Sequence, residues 1–422
     1  MTKYDVCIFG GGPAGSAMAK RLIEMGYSVV VIEKVVFPRA HVGISLSPGV
    51  EHWLRVLKVE VDQSLSPRSL LLWENDEVVE KEGGWHVDRG WFDQLLLNAS
   101  GARVIFGNAY PIENIHSEWD VYIEQELLFS ARFLVAATGR RPLLKGRRRA
   151  ILPVTVAAYA RCISQTFIEA GRDCWYWGGG GLSFVFADPG EVQQFSSVKD
   201  FFAEKMRVCR LMSLKDFGEV NMCTATAYVD ESPVGRNFIK IGDAVFTMDP
   251  LSAQGVQKAL KTAVQGAVVV NTILKGDVSA GVAFYRNMIS GEVSKHVRWT
   301  QQFYQSQGIY ESNFWRQRSG QLSPLHPDQV LAIRKEDVLI FNPNAEIVPV
   351  PVLGSEMIHY EYGVKLPDSD EPFVYVSEKP VVELIRQLDQ RCVNEGIHLF
   401  GMEILRWLVY HRIMIKAFML HA

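Results

Sequence analysis

The fold is decided by residues 5–33, which read DVCIFGGGPAGSAMAKRLIEMGYSVVVIE. Asp5–Phe9 is an apolar run that ends in glycines, Ser16–Met25 has the apolar spacing of a helix, and Ser28–Ile32 is rich in β-branched residues. A strand, a helix and a second strand within about 30 residues are typical of a parallel βαβ unit. The stretch therefore predicts an α/β fold that begins with a parallel crossover.

The turn after the first strand matches a dinucleotide-binding fingerprint. Gly10, Gly12 and Gly15 have the spacing G-x-G-x-x-G. The first glycine permits a tight turn, the second lets a pyrophosphate approach the backbone, and the third lets the helix pack closely on the strand. The helix N-terminus adds N–H donors for the phosphates. Glu33 ends the second strand 18 residues after Gly15, where a carboxylate accepts from a ribose 2′-hydroxyl and disfavours a 2′-phosphate. The pattern predicts FAD or NAD rather than NADP.

Two further strand ends decide between these cofactors. Residues 135–140 read VAATGR, with a strand that ends in Thr138-Gly139, and residues 241–244 read IGDA. Both resemble the secondary fingerprints of FAD enzymes with the glutathione-reductase-type fold, in which the Asp of the second motif accepts a hydrogen bond from the ribityl chain. Residues 249–255, DPLSAQG, then open a helix whose N-terminus would stabilise negative charge on the reduced flavin. The three motifs in this order predict FAD.

The composition excludes several other classes of protein. The chain has 422 residues, enough for two or three packed units. Its 48% apolar residues and net charge of −3 fit a globular protein without a general nucleic-acid footprint. Six cysteines without CxxC spacing favour reduced thiols and argue against a metal site. We expect a cytoplasmic protein, because no secretory signal is present and charged residues interrupt the apolar segment 400–420, which we predict to be an amphipathic helix.

Composition also divides the chain. Strand-like stretches between residues 151 and 230 predict an antiparallel sheet inserted into the nucleotide-binding domain. After Ser323-Pro324 the chain becomes proline-rich, and helical periodicity runs from Pro380 onward, so we predict a small, mainly helical C-terminal domain. The predicted domains are a discontinuous FAD-binding Rossmann-like domain (1–60, 86–150 and 225–275), a substrate domain (61–85, 151–224 and 276–322) and a C-terminal domain (323–422).

The motifs resemble those of a known family. Residues 37–43, FPRAHVG, together with residues 249–255, resemble the flavin monooxygenase group, which includes flavin-dependent halogenases and geranylgeranyl-reductase-like proteins. The segment 87–93, VDRGWFD, resembles one in which an arginine starts a helix beside the flavin, so Arg89 is either a flavin contact or part of a plain surface ion pair. The cofactor-binding residues that follow from the motifs and the resemblance are Gly10, Gly12, Pro13, Ala14, Gly15, Glu33, Lys34, Arg39, Arg89, Thr138, Gly139, Asp243, Pro250, Gly255 and Val256.

The source of electrons follows from a missing motif. The glycine run 178–181 neither belongs to a βα pattern nor has an acidic partner, so the sequence has no second dinucleotide fingerprint. We therefore expect NAD(P)H bound transiently, or a separate flavin reductase, as the electron source.

The sequence departs from the halogenase pattern at two places. Halogenases have a W-x-W-x-I-P motif that shields the flavin; here Trp175 and Trp177 are present, but Gly179-Gly180 stand in place of Ile-Pro. The stretch that matches the halogenase lysine, about residues 62–72, offers Arg68, which stays protonated, and no lysine. Both departures favour hydroxylation through a flavin C4a-hydroperoxide. Alternatively, Trp175 and Trp177 are sheet residues that pack a core.

The sequence resembles the flavoprotein monooxygenases that mature tryptophylquinone enzymes such as quinohemoprotein amine dehydrogenase. The resemblance rests on the pattern GDA (242–244) followed by DPLSAQG (249–255), the weakened tryptophan motif and the extra C-terminal unit. This resemblance implies a protein or peptide substrate whose tryptophan is hydroxylated. An electron-rich indole needs no strong catalytic base, so the catalytic residues stay unassigned, with His41, Trp175 and Trp177 as candidates and His52 beside them. Two alternatives remain: a halogenase or small-molecule aromatic hydroxylase, and a geranylgeranyl-reductase-like flavoprotein.

Overall fold

A computed structural model of the chain describes residues 2–39, 45–61, 69–74, 77–81, 85–162, 166–212, 217–320, 333–369 and 371–417. The chain forms two compact units, Met1–Leu322 and Ser323–Ala422.

The first unit is built from both strands and helices. Its strands are β1 (Lys3–Phe9), β2 (Val29–Glu33), β3 (Ser45–Leu46), β4 (Ser69–Leu72), β5 (Val79–Lys81), β6 (Trp85–His86), β7 (Arg103–Phe106), β8 (Ala109–Glu113), β9 (Trp119–Ile123), β10 (Glu126–Ala136), β11 (Arg148–Ala150), β12 (Val156–Arg161), β13 (Phe167–Ala170), β14 (Cys174–Gly179), β15 (Leu182–Ala187), β16 (Asn221–Thr224), β17 (Tyr228–Asp230) and β18 (Phe238–Lys240). Its helices are α1 (Pro13–Glu24), α2 (Val50–Val56), α3 (Arg89–Ala99), α4 (Pro189–Val192), α5 (Val198–Val208), α6 (Gly255–Leu274), α7 (Val278–Gln305) and α8 (Asn313–Ser319).

A seven-stranded sheet carries the motifs from which we predict nucleotide binding. Its order is β7-β2-β1-β10-β9-β8, with β18 beside the C-terminal end of β10. The pairs β7-β2, β2-β1, β1-β10 and β10-β18 are parallel, whereas β8 and β9 extend the sheet in antiparallel fashion. The valine and isoleucine runs of β1 and β2 are buried, as expected for strands covered on both faces. The predicted parallel crossover through α1 is confirmed.

The predicted antiparallel sheet is also present. Its seven strands follow the order β16-β12-β15-β14-β13-β4-β5, and all pairs are antiparallel except β13-β4. One face of this sheet packs against α5, and its other face contributes to a cluster of aromatic side chains that includes residues of α7 and α8. This sheet and the long helices α6 and α7 therefore belong to the same unit as the sheet that contains β1.

The second unit combines strands with helices. Its elements are β19 (Val338–Phe341), β20 (Glu346–Leu353), β21 (Ile358–Lys365), β22 (Tyr375–Val376), β23 (Lys379–Pro380), α9 (Val381–Leu388), β24 (Arg391–Cys392), α10 (Val393–Phe400), α11 (Met402–Tyr410) and β25 (Met414–Lys416). The helices expected from Pro380 onward are present, but the segment before them forms the hairpin β20-β21, for which we predicted no strands. The helix predicted across residues 400–420 ends at Tyr410, where a turn leads into β25.

The predicted α/β class with an inserted antiparallel sheet is confirmed. None of the helices in the described residues combines the length and apolar character that a membrane crossing requires. All six cysteines have free thiols, and Cys7, Cys162, Cys174 and Cys209 are buried.

Candidate cofactor site

The carboxyl ends of neighbouring parallel strands bring the predicted cofactor residues to one edge of the first sheet. The segments at this edge are the glycine loop 10–15 after β1, Glu33 at the end of β2, Thr138-Gly139 after β10 and Gly242-Asp243 after β18. Ligands of open α/β sheets bind at this edge. The four motifs therefore meet at the edge where ligands of such sheets bind.

The three glycines of the loop differ in what they contact. Gly10 has φ +107°, and a Cβ built on it would lie 2.3 Å from the Ala137 carbonyl oxygen. A Cβ on Gly15 would lie 1.8 Å from the Gly10 carbonyl oxygen. A Cβ on Gly12 would meet only the end of the flexible Arg39 side chain, at 3.0 Å. The protein's own backbone thus requires Gly10 and Gly15, whereas the bare backbone at Gly12 suits the close approach of a pyrophosphate.

The helix behind this loop offers donors to an anion. α1 begins at Pro13, and no side chain caps its N-terminus. The first helical hydrogen bond runs from the Ser16 N–H to the Gly12 carbonyl at 2.9 Å. Because Pro13 has no N–H, the amides of Ala14 and Gly15 are the donors that this helix end presents. The loop and the helix end together fit the diphosphate of FAD.

Glu33 shapes the loop from the next strand. Its carboxylate is buried; Oε2 accepts from the Gly11 N–H at 2.7 Å and Oε1 accepts from the Val35 N–H at 3.0 Å. The guanidinium of Arg39 lies 3.4 Å from both the Glu33 and the Asp93 carboxylates. Arg39 therefore links Glu33 to helix α3, and the end of its side chain lies beside Gly12.

Arg89 forms a buried ion pair. It is the first residue of α3, and its Nε lies 2.9 Å from Oδ1 of Asp93, one turn later. The two side chains are 10% and 0% exposed. The expected alternative of an ion pair exposed on the surface is therefore wrong, because both side chains are buried. Arg89 contacts Asp93, which also contacts Arg39, and Arg39 in turn contacts Glu33. Lys34, by contrast, is exposed.

The turn after β10 directs an arginine toward the next motif. Gly139 has φ +64°, and a Cβ there would meet nothing within 4 Å. The Thr138 hydroxyl donates to the Arg141 carbonyl at 2.6 Å. The intervening Arg140 places its Nε 3.8 Å from Oδ2 of Asp243. The two strand-end motifs are thereby in electrostatic contact.

The Gly242-Asp243 turn packs directly on the glycine-loop helix. Gly242 has φ +60°, and its Cβ would lie 2.9 Å from that of Ala14. The Asp243 carboxylate lies between Arg140 and Lys258, whose Nζ is 2.5 Å from Oδ1. Burial raises the pKa of Asp243, but the neighbouring positive charges of Lys258 and Arg140 lower it by a larger amount. The pKa of Asp243 therefore lies below its ordinary value, and the carboxyl group is ionised.

The segment 249–255 leads into α6. Pro250–Ser252 form a short 3-10 turn, Ala253 is left-handed at φ +48°, and α6 then begins at Gly255 without a side-chain cap. The first-turn amides of α6, including that of Val256, are thus the donors this helix end presents. A left-handed non-glycine residue at this junction is a strained geometry of the kind found at functional sites.

A buried polar cluster holds this segment against α7. Oδ2 of Asp249 accepts from the Tyr304 hydroxyl at 3.1 Å, and the Asp249 N–H donates to Nε2 of His296 at 2.8 Å. Burial raises the pKa of Asp249 to about 6 and lowers that of His296 to about 4. Since Nε2 accepts, the neutral His296 has its proton on Nδ1, which lies 3.4 Å from the Thr300 hydroxyl oxygen.

We did not predict these contacts of Asp249 from the sequence, although the spacing of polar residues in α7 gives a signal for them. His296, Thr300 and Tyr304 recur every four residues and lie on one face of α7, where all three are buried. Polar residues at helical spacing within an otherwise apolar face indicate a buried polar contact. The partner of that face, Asp249, could not be identified without the fold.

The two tryptophans of β14 point into the aromatic cluster of the second sheet. Trp175 is 1% exposed and stacks on Phe186 with ring centroids 3.9 Å apart. Trp177 is half-buried and lies edge-on to Phe184 at 5.5 Å. Leu251 and Tyr304 belong to the same cluster, so it reaches the segment before α6. The position of Trp175 agrees with the alternative of a packed sheet residue.

A glycine turn follows these tryptophans. Gly180 and Gly181 have φ +52° and +81° and connect β14 to β15. A Cβ on Gly179 would lie 3.0 Å from Cε1 of His86 and 3.1 Å from the Trp177 ring. The absence of a side chain at Gly179 thus lets the His86 ring approach the tryptophan strand.

Three candidates from the sequence are still to be located. His41 and Arg68 lie outside the described residues. His52 is exposed on α2 and lies edge-on to Trp53 at 4.9 Å. Within the described part of the chain, no three His, Cys, Asp or Glu side chains form a group that could hold a metal ion.

Curated proteins of similar sequence include halogenating enzymes, several of which are named flavin-dependent. The chain is 25% identical over 373 residues to a tryptophan 2-halogenase of Chondromyces crocatus, covering 74% of this chain and 69% of the relative. It is 26% identical over 361 residues to a 1H-pyrrole-2-carbonyl peptidyl-carrier-protein chlorinase of Pseudomonas fluorescens, covering 68% and 80%. No protein-family profile matches the chain.

Solved structures of the same fold include a hydroxylase and a halogenase. A peptidyl tryptophan dihydroxylase essential for tryptophylquinone cofactor biogenesis matches with a TM-score of 0.75 and 23% identity, over 97% of this chain and 99% of that one. A flavin-dependent halogenase matches with a TM-score of 0.78 and 18% identity, over 99% and 96%. At these identities the structural matches establish the fold alone.

The comparisons confirm the resemblance to the flavin-dependent monooxygenase and halogenase family. The protein is an enzyme, and its cofactor is FAD.

Proposed function

We propose that the protein is a monooxygenase that uses FAD to hydroxylate an aromatic side chain, and that its substrate is a tryptophan within a partner protein. When bound and reduced, FAD supplies the activation of dioxygen. The chain's own residues then bind and orient the cofactor and leave one side accessible to the substrate.

The cofactor would be held by the four strand-end motifs and α6. Gly12 and the amides of Ala14 and Gly15 suit the diphosphate, and Glu33 is placed for the ribose. Asp243 would accept from the ribityl chain. The uncapped end of α6 would place its dipole near the flavin ring, where it stabilises negative charge.

The observation that favours oxygen insertion over halogenation is the glycine turn at the end of β14. Where halogenases have Ile-Pro, this chain has Gly179-Gly180, and Trp175 is packed inside the aromatic cluster. These residues supply no bulky screen between a substrate and the flavin. An aromatic ring could therefore approach closely enough to take oxygen directly.

The lysine chemistry of halogenation also lacks support. The sequence between residues 62 and 72 contains Arg68 and no lysine. Lys258 is buried in the cofactor region, but its ammonium is held by Asp243 and the Phe246 carbonyl. A haloamine would require a neutral amine that faces the substrate.

A protein-borne substrate is supported by two of the similar proteins. By name, the Pseudomonas fluorescens relative chlorinates a group on a peptidyl-carrier protein, and the dihydroxylase of the same fold acts on peptidyl tryptophan. Electrons would come from NAD(P)H bound transiently or from a separate flavin reductase.

Halogenation remains the second candidate function, because both curated relatives named above are halogenating enzymes and one matched structure is a halogenase. A single reaction separates the two. The enzyme is supplied with reduced FAD, dioxygen and chloride, and is given a tryptophan-containing precursor protein, a matched precursor with the tryptophan replaced by phenylalanine, and free tryptophan.

Mass spectrometry should show products that gain oxygen atoms on the tryptophan-containing precursor, with two additions expected for a quinone precursor. The phenylalanine variant should stay unmodified. Chlorinated product, or turnover of free tryptophan with none of the protein, would contradict the proposal.

A further inference from the structure

A buried lysine lies beneath the Asp243 carboxylate. Lys258, near the start of α6, is 5% exposed, whereas the Asp243 side chain is 35% exposed. The Nζ of Lys258 donates to Oδ1 of Asp243 and to the Phe246 carbonyl, each at 2.5 Å. It lies 4.8 Å from the centre of the Phe246 ring. The carboxylate is therefore the outer member of the pair.

The same helix also fixes the backbone of this turn. The Thr262 hydroxyl accepts from the Gly242 N–H at 3.0 Å and donates to the Lys258 carbonyl at 2.9 Å. From the other side, the Tyr228 hydroxyl donates to the Asp243 carbonyl at 2.9 Å. With the main chain held in this way, the contact to Lys258 is what orients the carboxylate.

The charges around Asp243 are unbalanced in favour of cations. Lys258 engages Oδ1 from the interior, and Arg140, with 33% of its side chain exposed, lies 3.8 Å from Oδ2 on the outer side. One carboxylate thus stands between two positive groups. Burying an ammonium costs solvation energy unless a partner compensates it, so Lys258 depends on Asp243 for its place in the interior.

We propose that Lys258 is a positioning residue of the FAD site, whose buried ammonium orients the Asp243 carboxylate. The inference rests on the proposed function, because it requires that Asp243 binds the cofactor. None of the sequence motifs includes Lys258. Oδ1 is occupied by Lys258, so Oδ2 is the oxygen on the side from which a ligand hydroxyl would approach.

The test measures the affinity of the apoprotein for FAD in four variants. Lys258→Met and Asp243→Asn should each weaken binding about tenfold, and the double variant should bind no more weakly than Asp243→Asn alone. Lys261→Met is the matched control on the same helix; it removes a half-buried lysine that pairs with Glu292 at 2.8 Å, and FAD affinity should not change.

Two further measurements distinguish positioning from a general structural role. Lys258→Met leaves a partly exposed carboxylate that water and Arg140 can solvate, so the Tm of the apoprotein should change little. Asp243→Asn leaves the buried ammonium without its counter-ion, so the Tm should fall more. The midpoint potential of bound FAD should move in opposite directions in the two variants, because one loses a positive and the other a negative charge.

Each alternative outcome is decisive. Wild-type FAD affinity in Lys258→Met, together with weaker binding in Asp243→Asn, would refute the role of Lys258 and leave the cofactor site standing. Additive losses in the double variant, or potentials that do not move in opposite directions, would also refute that role. Wild-type affinity in Asp243→Asn would refute the assignment of the Gly242-Asp243 turn itself.

Discussion

At the scale of single residues, we expect Gly12 to be required for binding the cofactor but not for folding. Its φ of −73° is accessible to any residue, and only the end of the Arg39 side chain lies near its missing Cβ. We expect Gly12→Val to fold with a nearly unchanged Tm but to lose FAD, because the side chain would occupy the place of the pyrophosphate. Absorbance of the purified protein and FAD titration measure this.

Gly10→Ala is the contrasting variant. At φ +107°, with the Ala137 carbonyl oxygen 2.3 Å from the new Cβ, it should lower the Tm whether or not FAD is present. A Gly12→Val protein that purifies with stoichiometric FAD would show that the diphosphate lies elsewhere.

Asp249 makes the stability of the apoprotein depend on pH. Burial raises its pKa from 3.8 to about 6, so the folded chain binds this proton more tightly than the unfolded chain does. The contribution of Asp249 to the free energy of unfolding is therefore highest below pH 3.8, falls as the pH rises toward 6 and stays constant above that. At neutral pH the ionised group costs at most about 3 kcal/mol.

Asp249→Asn should accordingly gain stability relative to the wild type as the pH rises from 4 to 7, by up to about 3 kcal/mol. Urea unfolding of both apoproteins across this pH range measures the difference between their free energies of unfolding. The contributions of the other titrating groups are the same in both proteins and cancel in this difference. A difference that is independent of pH would mean that Asp249 has an ordinary pKa in the folded protein.

At the scale of elements, motifs of short sequence spacing could be predicted from the sequence, whereas contacts between residues of different elements could not. The βαβ unit could be predicted because its glycines and Glu33 have roles fixed by spacing. Lys258 and Tyr304 could not, since each contacts an acidic residue of another element through tertiary packing. Arg89 shows the intermediate case: the helix start was predicted, but burial of its pair with Asp93 was not.

The turn between β14 and β15 allows a prediction about turnover. Gly179→Val would place a side chain against His86 and Trp177, which lie 3.0 Å and 3.1 Å from the missing Cβ. We expect FAD binding to persist, because the atoms nearest to the missing Cβ belong to His86 and Trp177, neither of which is proposed to bind FAD. Hydroxylation should fall about tenfold or more, a barrier increase of about 1.4 kcal/mol. Product formation at saturating FAD measures the change.

Gly190→Val is the matched control, because a Cβ there would meet nothing within 4 Å. It should turn over substrate like the wild type. Equal activity in Gly179→Val and Gly190→Val would mean that the substrate does not approach along the tryptophan strand.

At the scale of the whole molecule, the limits of sequence reasoning lie in the second unit. Pro349 and Pro351 argue against a strand, since proline cannot donate to a sheet. Both nevertheless lie in β20, which pairs only with β21 among the described strands, so its other edge needs no donors. The unit has its own apolar core, to which Val381, Leu405 and Leu408 contribute.

We expect this second unit to act in substrate recognition. Every residue proposed to bind FAD precedes Ser323, so a chain ending at Leu322 should keep its FAD affinity while its action on a folded precursor protein falls about tenfold or more. FAD titration and product yield measure the two effects. Loss of FAD binding together with activity would instead assign the unit a role in the stability of the cofactor site.

Mass spectrometry of the precursor protein after reaction under heavy-isotope dioxygen, with reduced FAD and chloride present, distinguishes oxygen insertion from halogenation. A monooxygenase should transfer labelled oxygen from dioxygen to the tryptophan residue, in steps of one atom and ending at two. Incorporation of chlorine, or oxygen from unlabelled water alone, would contradict the assignment of this protein as a monooxygenase.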